Sequence, residues 1–452
     1  MDVPLRGCSL SYIVYAINRD NKEFKNFAST LPKDFTYGFI KVPEDWNKPN
    51  GKHIEIFYYG RIKGSGVYKN LPPTVFFNGG PGNDSHYSYH KLIESEISFD
   101  KQPIIFIDQR GTGFSSKYPD ITTNYGPSKV FDYYGSEGIV RDAEEIRKAL
   151  FQNKSWNIFG QSYGAIVVYR YLKLFPESIL SSTTDGFALH SQPEDKLLYY
   201  KSQMKIKLVS DFFKKFPSNV SRVKKIKTQI EGKISTGLYK NNDFVDLILT
   251  RGIQDTSSSD SVNDFLLKVA PDSQFQIDLD FLKKFIFTYF REEINLRTFS
   301  LSLPSTFIHY SEIGDCYNLF FEKYLKKIMA EDETLKELPI FPLTDELLLK
   351  EDVSKLRGLK FLKNKIFFND ITQALVRNPD LKIYFFIGKE DVYTPPAAYD
   401  EMREYFSSES RIKFIARDGD HFNFFKELLN LNAFLKQSDK KKNSLSCKKY
   451  YF

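Results

Sequence analysis

Ser162 stands in Gly160-Gln161-Ser162-Tyr163-Gly164, where a strand-like apolar run, Trp156 to Gly160, gives way to a run with helical rhythm over residues 165–175. A serine on a tight strand-to-helix turn is the arrangement of a nucleophile elbow. Flanking glycines let strand and helix approach closely around a strained turn, and the hydroxyl is presented at a helix N-terminus, where developing negative charge is favoured. Glycine and serine are common, so G-x-S-x-G alone also describes an ordinary Gly-bounded turn. The partners such a serine needs must therefore be sought elsewhere in the chain.

A serine hydroxyl is a weak nucleophile without a base. On a strand–serine–helix framework the order along the chain is serine, acid, histidine. The chain holds six histidines, His53, His86, His90, His190, His309 and His421, and only His421 follows the last apolar strand patterns. It stands in "ARDGDHFNFF", a polar loop between the strand-like "RIKFIA" (411–416) and a helical stretch. The acid should follow the strand before it, where "FFIGKEDVYTPP" offers Glu390 and Asp391. Asp391 is the expected acid, because the short arm of an aspartate suits it to orienting an imidazole in such a loop; Glu390 and Asp185 are the alternatives. Its role would be to hold one tautomer of His421 and to stabilise the imidazolium. An oxyanion hole needs two convergent backbone N–H groups. One is expected from Tyr163, the residue after the nucleophile. The other is expected from "FFNGGPG" (76–82), whose three glycines remove side chains where a substrate carbonyl could approach.

The elements that must position these residues follow from the apolar pattern. "YGFIKV" (37–42) and "HIEIFYYGRI" (53–62) read as strands joined by a Pro-, Asn- and Gly-rich turn that suits a hairpin. "TVFFNGG" (74–80), "PIIFIDQRG" (103–111), "WNIFG" (156–160), "ILSSTTDGFAL" (179–189) and "LKIYFFIG" (381–388) are short, near-continuous apolar runs of the kind buried parallel strands show. Residues 138–151 have helical spacing, with Ile139, Ala143, Ile146 and Leu150 on one face. Residues 190–365 are instead dominated by charged, helix-period segments. The expected architecture is an α/β-hydrolase fold, a mostly parallel central sheet carrying a large helical cap. Residues 1–189 and 366–452 would form the discontinuous catalytic domain and residues 190–365 the cap, lying over the carboxyl ends of the strands.

Composition removes several other classes. The formal net charge of +7, from 64 basic and 57 acidic residues, is modest for 452 residues, and no segment carries a dense basic stripe, so no nucleic-acid partner is expected. The basic tail, "KKKNSLSCKKYYF", reads as a solvated terminus. No apolar run reaches the roughly 18–20 residues of a membrane span. The apolar stretch Tyr12 to Ile17 is short and lacks a following cleavage site, so a cytoplasmic location is expected, with export as the alternative. Cys8, Cys316 and Cys447 are far apart and form no C-x-x-C, which argues against a zinc site or a disulfide framework. No metal and no cofactor are expected.

Taken as a set, "NGGPG" (78–82), "DQRGTGFS" (108–115), "GQSYG" (160–164), "GKEDVYTP" (388–395) and "GDH" (419–421) stand in the order seen in proline iminopeptidases and related serine aminopeptidases, peptidase family S33 of the α/β-hydrolase superfamily. The resemblance covers about residues 36–190 and 366–437. It implies that Gly80 supplies the second oxyanion N–H and that Asp108–Gly111 is scaffold beside the active site. The family's usual histidine before the glycines is Asn78 here, which bears on the loop's local hydrogen bonds. "VPEDWNKPNGKHIEIFYYGRI" is similar to the opening strands of the larger, tripeptidyl-type members, many of which are exported. In the family, cap carboxylates bind the substrate's free α-amino group; "IHYSEIGDCY" (308–317) resembles that segment, with Glu312 the best match and Asp315 the next. The expected activity is a serine aminopeptidase that releases an N-terminal residue, with proline the first candidate, from short peptides through an acyl-enzyme. An esterase acting on small acyl esters is the alternative on the same triad, and a catalytically silent binding protein on the same fold is a further one.

Overall fold

The computed structural model describes residues 22–66, 69–86, 88–90, 103–119, 132–152, 154–189, 195–230, 245–246, 249–250, 252–253, 259–271, 277–278, 282, 327–331, 338–340 and 366–421. After a short helix α1 (Lys22–Thr30), the strands β1 (Thr36–Pro43) and β2 (His53–Arg61) form the hairpin that the intervening turn residues favour, in register from Thr36 opposite Gly60 to Pro43 opposite His53. They are followed by β3 (Thr74–Phe77), β4 (Ile104–Ile107), helix α2 (Ser136–Phe151), β5 (Trp156–Gln161), helix α3 (Tyr163–Leu174) and β6 (Ile179–Asp185). Beyond the helical region come helix α7 (Phe368–Arg377), β7 (Lys382–Gly388), the short helix α8 (Asp400–Tyr405) and β8 (Ile412–Arg417). These strands form an eight-stranded sheet of order β1-β2-β4-β3-β5-β6-β7-β8. Among the described residues β2 pairs antiparallel with β1 and with β4, and the other pairings are parallel.

The central strands are apolar on both faces because both faces are covered, as parallel sheets require. Val75 and Phe77 of β3, Ile105 and Ile107 of β4 and Ile158 of β5 point into one core, which they share with α2, α3 and α7. Phe76, Phe106 and Phe159, alternate residues of the same strands, point into the other, where Phe24 and Phe27 of α1 meet Phe57, Tyr59 and Phe114. The chain's high aromatic content is thus partly absorbed by one aromatic layer.

β3 ends at Phe77 and β4 at Ile107, where Gly-containing loops take over, and β6 ends at Asp185, sooner than its run to residue 189 suggests. The residues that follow stay largely buried; Asp108 N–H still reaches the Phe57 carbonyl of β2 (3.1 Å), but the side chains bond to loops. Asp108, straight after β4, is the clearest case. Its carboxylate accepts hydrogen bonds from Ser85 N–H (2.9 Å), Ser85 Oγ (2.7 Å) and Phe114 N–H (2.7 Å), and His86 Nε2 lies 3.1 Å away. Burial alone would raise the carboxyl's pKa, but the attraction of His86 and these bonds outweigh it and hold it below its ordinary value. Two residues on, the buried Arg110 forks onto Asp142 of α2 (2.7 and 2.5 Å) and donates to the Glu44 carbonyl just past β1 (3.0 Å). The D-Q-R-G segment thereby joins the β1 end, α2 and the loop after β3.

In the described part of 190–365 the chain is mostly helical and no strand is found. Helices α4 (Asp195–Lys215), α5 (Ser218–Ile230) and α6 (Ser259–Val269) build a separate apolar core from Val209, Phe212, Val223, Ile226, Leu266 and Val269. Val392, from the loop after β7, is buried in this core as well. Among the described residues no helix is long and apolar enough to cross a membrane.

Candidate active site

β5 runs into α3 with no intervening loop, and Ser162 is the single residue between them. Its backbone sits at φ +55°, ψ −121°, a region that costs a non-glycine residue about 1–3 kcal/mol. Two hydrogen bonds hold it there: its N–H donates to the Asp185 carbonyl at the end of β6 (2.8 Å), and its carbonyl accepts from Ala165 N–H (2.9 Å). The flanking glycines are required by space. A Cβ on Gly160 would collide with the Gly164 carbonyl oxygen, and one on Gly164 with the Phe77 carbonyl oxygen of β3. Tyr163, whose N–H opens α3, is buried.

The loop after β3 lies against this serine. A Cβ on Gly79 would come within 3.0 Å of the Ser162 Cβ and 2.7 Å of the Gln161 Oε1. Gly80 has φ +124° and precedes Pro81 through a cis peptide. Asn78, standing where the resembling family has histidine, closes the loop on itself: its side-chain amide donates to the Asn83 carbonyl (2.7 Å), and its own carbonyl accepts from Gln109 Nε2 (3.1 Å).

Asp391 and His421 meet directly, with Nδ1 of the imidazole 2.9 Å from Oδ2 of the carboxylate, and both side chains are buried. The other carboxylate oxygen, Oδ1, accepts the backbone N–H groups of Tyr393 and Thr394, each at 2.8 Å. Burial would raise the Asp391 carboxyl's pKa; the attraction and hydrogen bond of His421, the Thr394 N–H and the nearby Arg417 charge together bring it below its ordinary value. An ionised carboxylate at this distance fixes the imidazole proton on Nδ1 and leaves Nε2 as the atom able to take a proton. Neither alternative acid occupies this place. Asp185 is committed to a fully buried fork with Arg417 (2.6 and 2.7 Å), and Glu390 is the half-buried residue preceding Asp391.

The two halves of the site are tied together at the end of β6 and next to the serine. Gln161 Nε2 donates to the His421 carbonyl (3.2 Å). Gly186, which follows the Asp185 that holds Ser162 N–H, has φ +77°. A Cβ there would lie 2.7 Å from Cε1 and 2.9 Å from Nδ1 of His421. Its carbonyl accepts from Thr394 Oγ1 (2.8 Å). We expect Gly186→Ala to push the imidazole out of place. Hydrolytic kcat/KM should fall by about 10²-fold, as for an ångström-scale misplacement of a reacting group. The unfavourable φ should cost a further ~1 kcal/mol or more of stability. Kinetics on an aryl ester and a thermal melt of the same variant check both.

Thr394 falls within "GKEDVYTP", but Gly186 and Arg417 carry no motif of their own. The only trace of them in the sequence is an Asp-Gly pair after a strand and an arginine four residues before the histidine. Glu312 and Asp315, expected to bind a substrate amine, lie outside the described residues, as do His190, His309 and the three cysteines.

The likeness to known proteins agrees with this framework. A family profile described as alpha/beta hydrolase fold matches residues 72–428. A proline iminopeptidase of Aeromonas sobria is 27% identical over 199 residues, 43% of this chain and 47% of the relative. One of Lactobacillus helveticus is 31% identical over 147 residues, 31% of this chain and 45% of the relative. The matched region thus spans about half the length of these curated relatives. Among solved structures, a proline iminopeptidase of Mycobacterium smegmatis aligns over 90% of this chain and 100% of its own at 11% identity, with a TM-score of 0.38. An epoxide hydrolase of Vigna radiata aligns over 90% and 98% at 13% identity, with a TM-score of 0.36. Profile, strand order and the strand–serine–helix elbow point the same way: the chain belongs to the α/β-hydrolase fold family.

Proposed function

We propose that this α/β-hydrolase is a serine aminopeptidase, with Ser162, His421 and Asp391 as its triad. The observation that carries the reading is the buried Asp391–His421 pair, packed on Gly186, which follows the Asp185 whose carbonyl holds the N–H of Ser162 at its positive φ. In the first half-reaction the Ser162 hydroxyl attacks the scissile carbonyl while His421 Nε2 takes its proton. The carbonyl oxygen, now negative, is held by the N–H groups of Tyr163 and Gly80. His421 returns the proton to the leaving amine, and water then releases the acyl group by the same steps in reverse. No residue in this sequence of steps calls for a metal or an organic cofactor.

The division into a catalytic domain, 1–189 with 366–452, and a helical cap, 190–365, belongs to the same proposal. The separate apolar core of α4 to α6 supports it. The peptide assignment draws on the proline iminopeptidase relatives. A hydrolysis panel of aminoacyl arylamides against acyl esters of matched size tests it: preference for the esters replaces the peptidase with an esterase. Glu312 is the proposed anchor for the substrate's ammonium, with Asp315 beside it. An N-acetylated substrate loses that charge and leaves a desolvated carboxylate without a partner, which should lower kcat/KM by about 10- to 100-fold, the worth of a hydrogen bond to a charged group. Glu312→Gln is expected to slow free-amine substrates by a similar factor and to spare simple acyl esters. Equal cleavage of free and acetylated substrates by the wild type would remove the aminopeptidase reading.

A further inference from the structure

Tyr393 lies two residues beyond Asp391, and its position is fixed at every level. Its N–H donates to Asp391 Oδ1 (2.8 Å). Its neighbours are anchored on either side, Val392 in the core of the helical region and Thr394 on the Gly186 carbonyl. Its ring lies against the His421 imidazole, with centroids 4.8 Å apart and planes at 47°. His421 is only 5% exposed, whereas Tyr393 is 36% exposed. At this corner it is therefore the tyrosine that offers surface to an approaching molecule.

The chemistry says which part of a substrate that would be. In acyl transfer the Ser162 Oγ–C bond forms first, the C–N or C–O bond breaks as the tetrahedral intermediate collapses, and the proton that left Oγ passes through the imidazole to the departing nitrogen or oxygen. The acyl half stays on the serine, beside the glycine loop. The departing half must sit next to His421, because His421 protonates it. We propose that Tyr393 forms a wall of the leaving-group subsite and selects for flat, apolar leaving groups: an aromatic side chain on the residue after the scissile bond of a peptide, or an aryl alcohol in an ester. The proposal rests on the serine-hydrolase reading above but is indifferent to peptide or ester.

The test compares two leaving groups, 2-naphthyl and methyl, on one acyl half, as L-prolyl amides and as acetates. Intrinsic reactivity cancels, because what is read is the change in the naphthyl-to-methyl ratio of kcat/KM between wild type and variant. Tyr393→Ala should lower that ratio by about 3- to 10-fold, the range of an aromatic pair. Tyr393→Phe, which keeps the ring, should hold it within about twofold. Tyr393→Leu supplies the first comparison if the alanine variant fails to fold. Equal losses on both leaving groups would assign the ring to holding His421 alone and overturn the proposal, as would an unchanged ratio. A wild type that cleaves neither naphthyl substrate also overturns it. Labelling of Ser162 by a fluorophosphonate then decides whether the serine-hydrolase reading falls with it.

Discussion

Ser162→Ala is expected to remove turnover, with kcat falling by about 10⁶, while the protein stays folded. Loss of the hydroxyl takes away the atom proposed to carry the acyl group. The supporting backbone bonds, Ser162 N–H to Asp185 and Ala165 N–H to Ser162, use no side-chain atom and survive. Stability and activity can be separated further at this one position. The backbone stands at φ +55°, where glycine is free of the strain that serine and alanine carry. Ser162→Gly should therefore be about as inactive as Ser162→Ala but more stable by ~1 kcal/mol. Denaturant titration of the two variants, alongside an aryl-ester assay, measures both quantities. Near-native rates in purified Ser162→Ala would mean that another residue is the nucleophile.

Asp391→Asn should cost about 10⁴ in kcat, and the hydrogen bonds around the carboxylate say why. Oδ1 is held by two backbone donors, Tyr393 N–H and Thr394 N–H. An asparagine would put its carbonyl oxygen there and turn its NH₂ toward His421. The imidazole would then expose a lone pair at Nδ1 and carry its proton on Nε2, the wrong tautomer for taking a proton from Ser162. The same variant has a stability signature. Because the Asp391 pKa is lowered in the folded protein, its ionised form adds stability that is present above the unfolded value, about 4, and is lost as pH falls through the lower folded value. The stability difference between wild type and Asp391→Asn should be largest near neutral pH and shrink below about pH 4. Full activity in this variant would move the acid elsewhere, and Asp185 could take the role only by releasing Arg417.

Much of the sheet is legible in the sequence because its strands are short apolar runs with turn residues at their ends. The elbow is legible because strand rhythm meets helix rhythm at one serine. The strand ends are less so. After Phe77, Ile107 and Asp185 the chain remains buried, and burial is all that an apolar pattern reports. Which backbone groups pair with a neighbouring strand and which with a distant carboxylate, as at Asp108, depends on residues far away in the sequence. The same reason hides Gly186 and Arg417. A glycine after a strand is a turn signal everywhere, and only the imidazole lying against it gives this one a further part. Sequence separates Asp391 from Asp185 only by strand order, and from Glu390 by arm length. What separates the two aspartates in space is a partner: Arg417 on one and His421 on the other.

Val392 gives the fold a constraint on recombination. It is buried among the side chains of α4 to α6, yet it is bonded directly to the residue that holds His421. A chimera that replaced residues 190–365 with the insertion of another hydrolase would set a foreign surface against Val392. The mismatch would be felt one peptide away from the Asp391 carboxylate. The unit that can be transplanted intact is therefore not the insertion alone. It must take the loop 389–395 with it, although that loop follows residues 190–365 in the chain only after a further helix and strand.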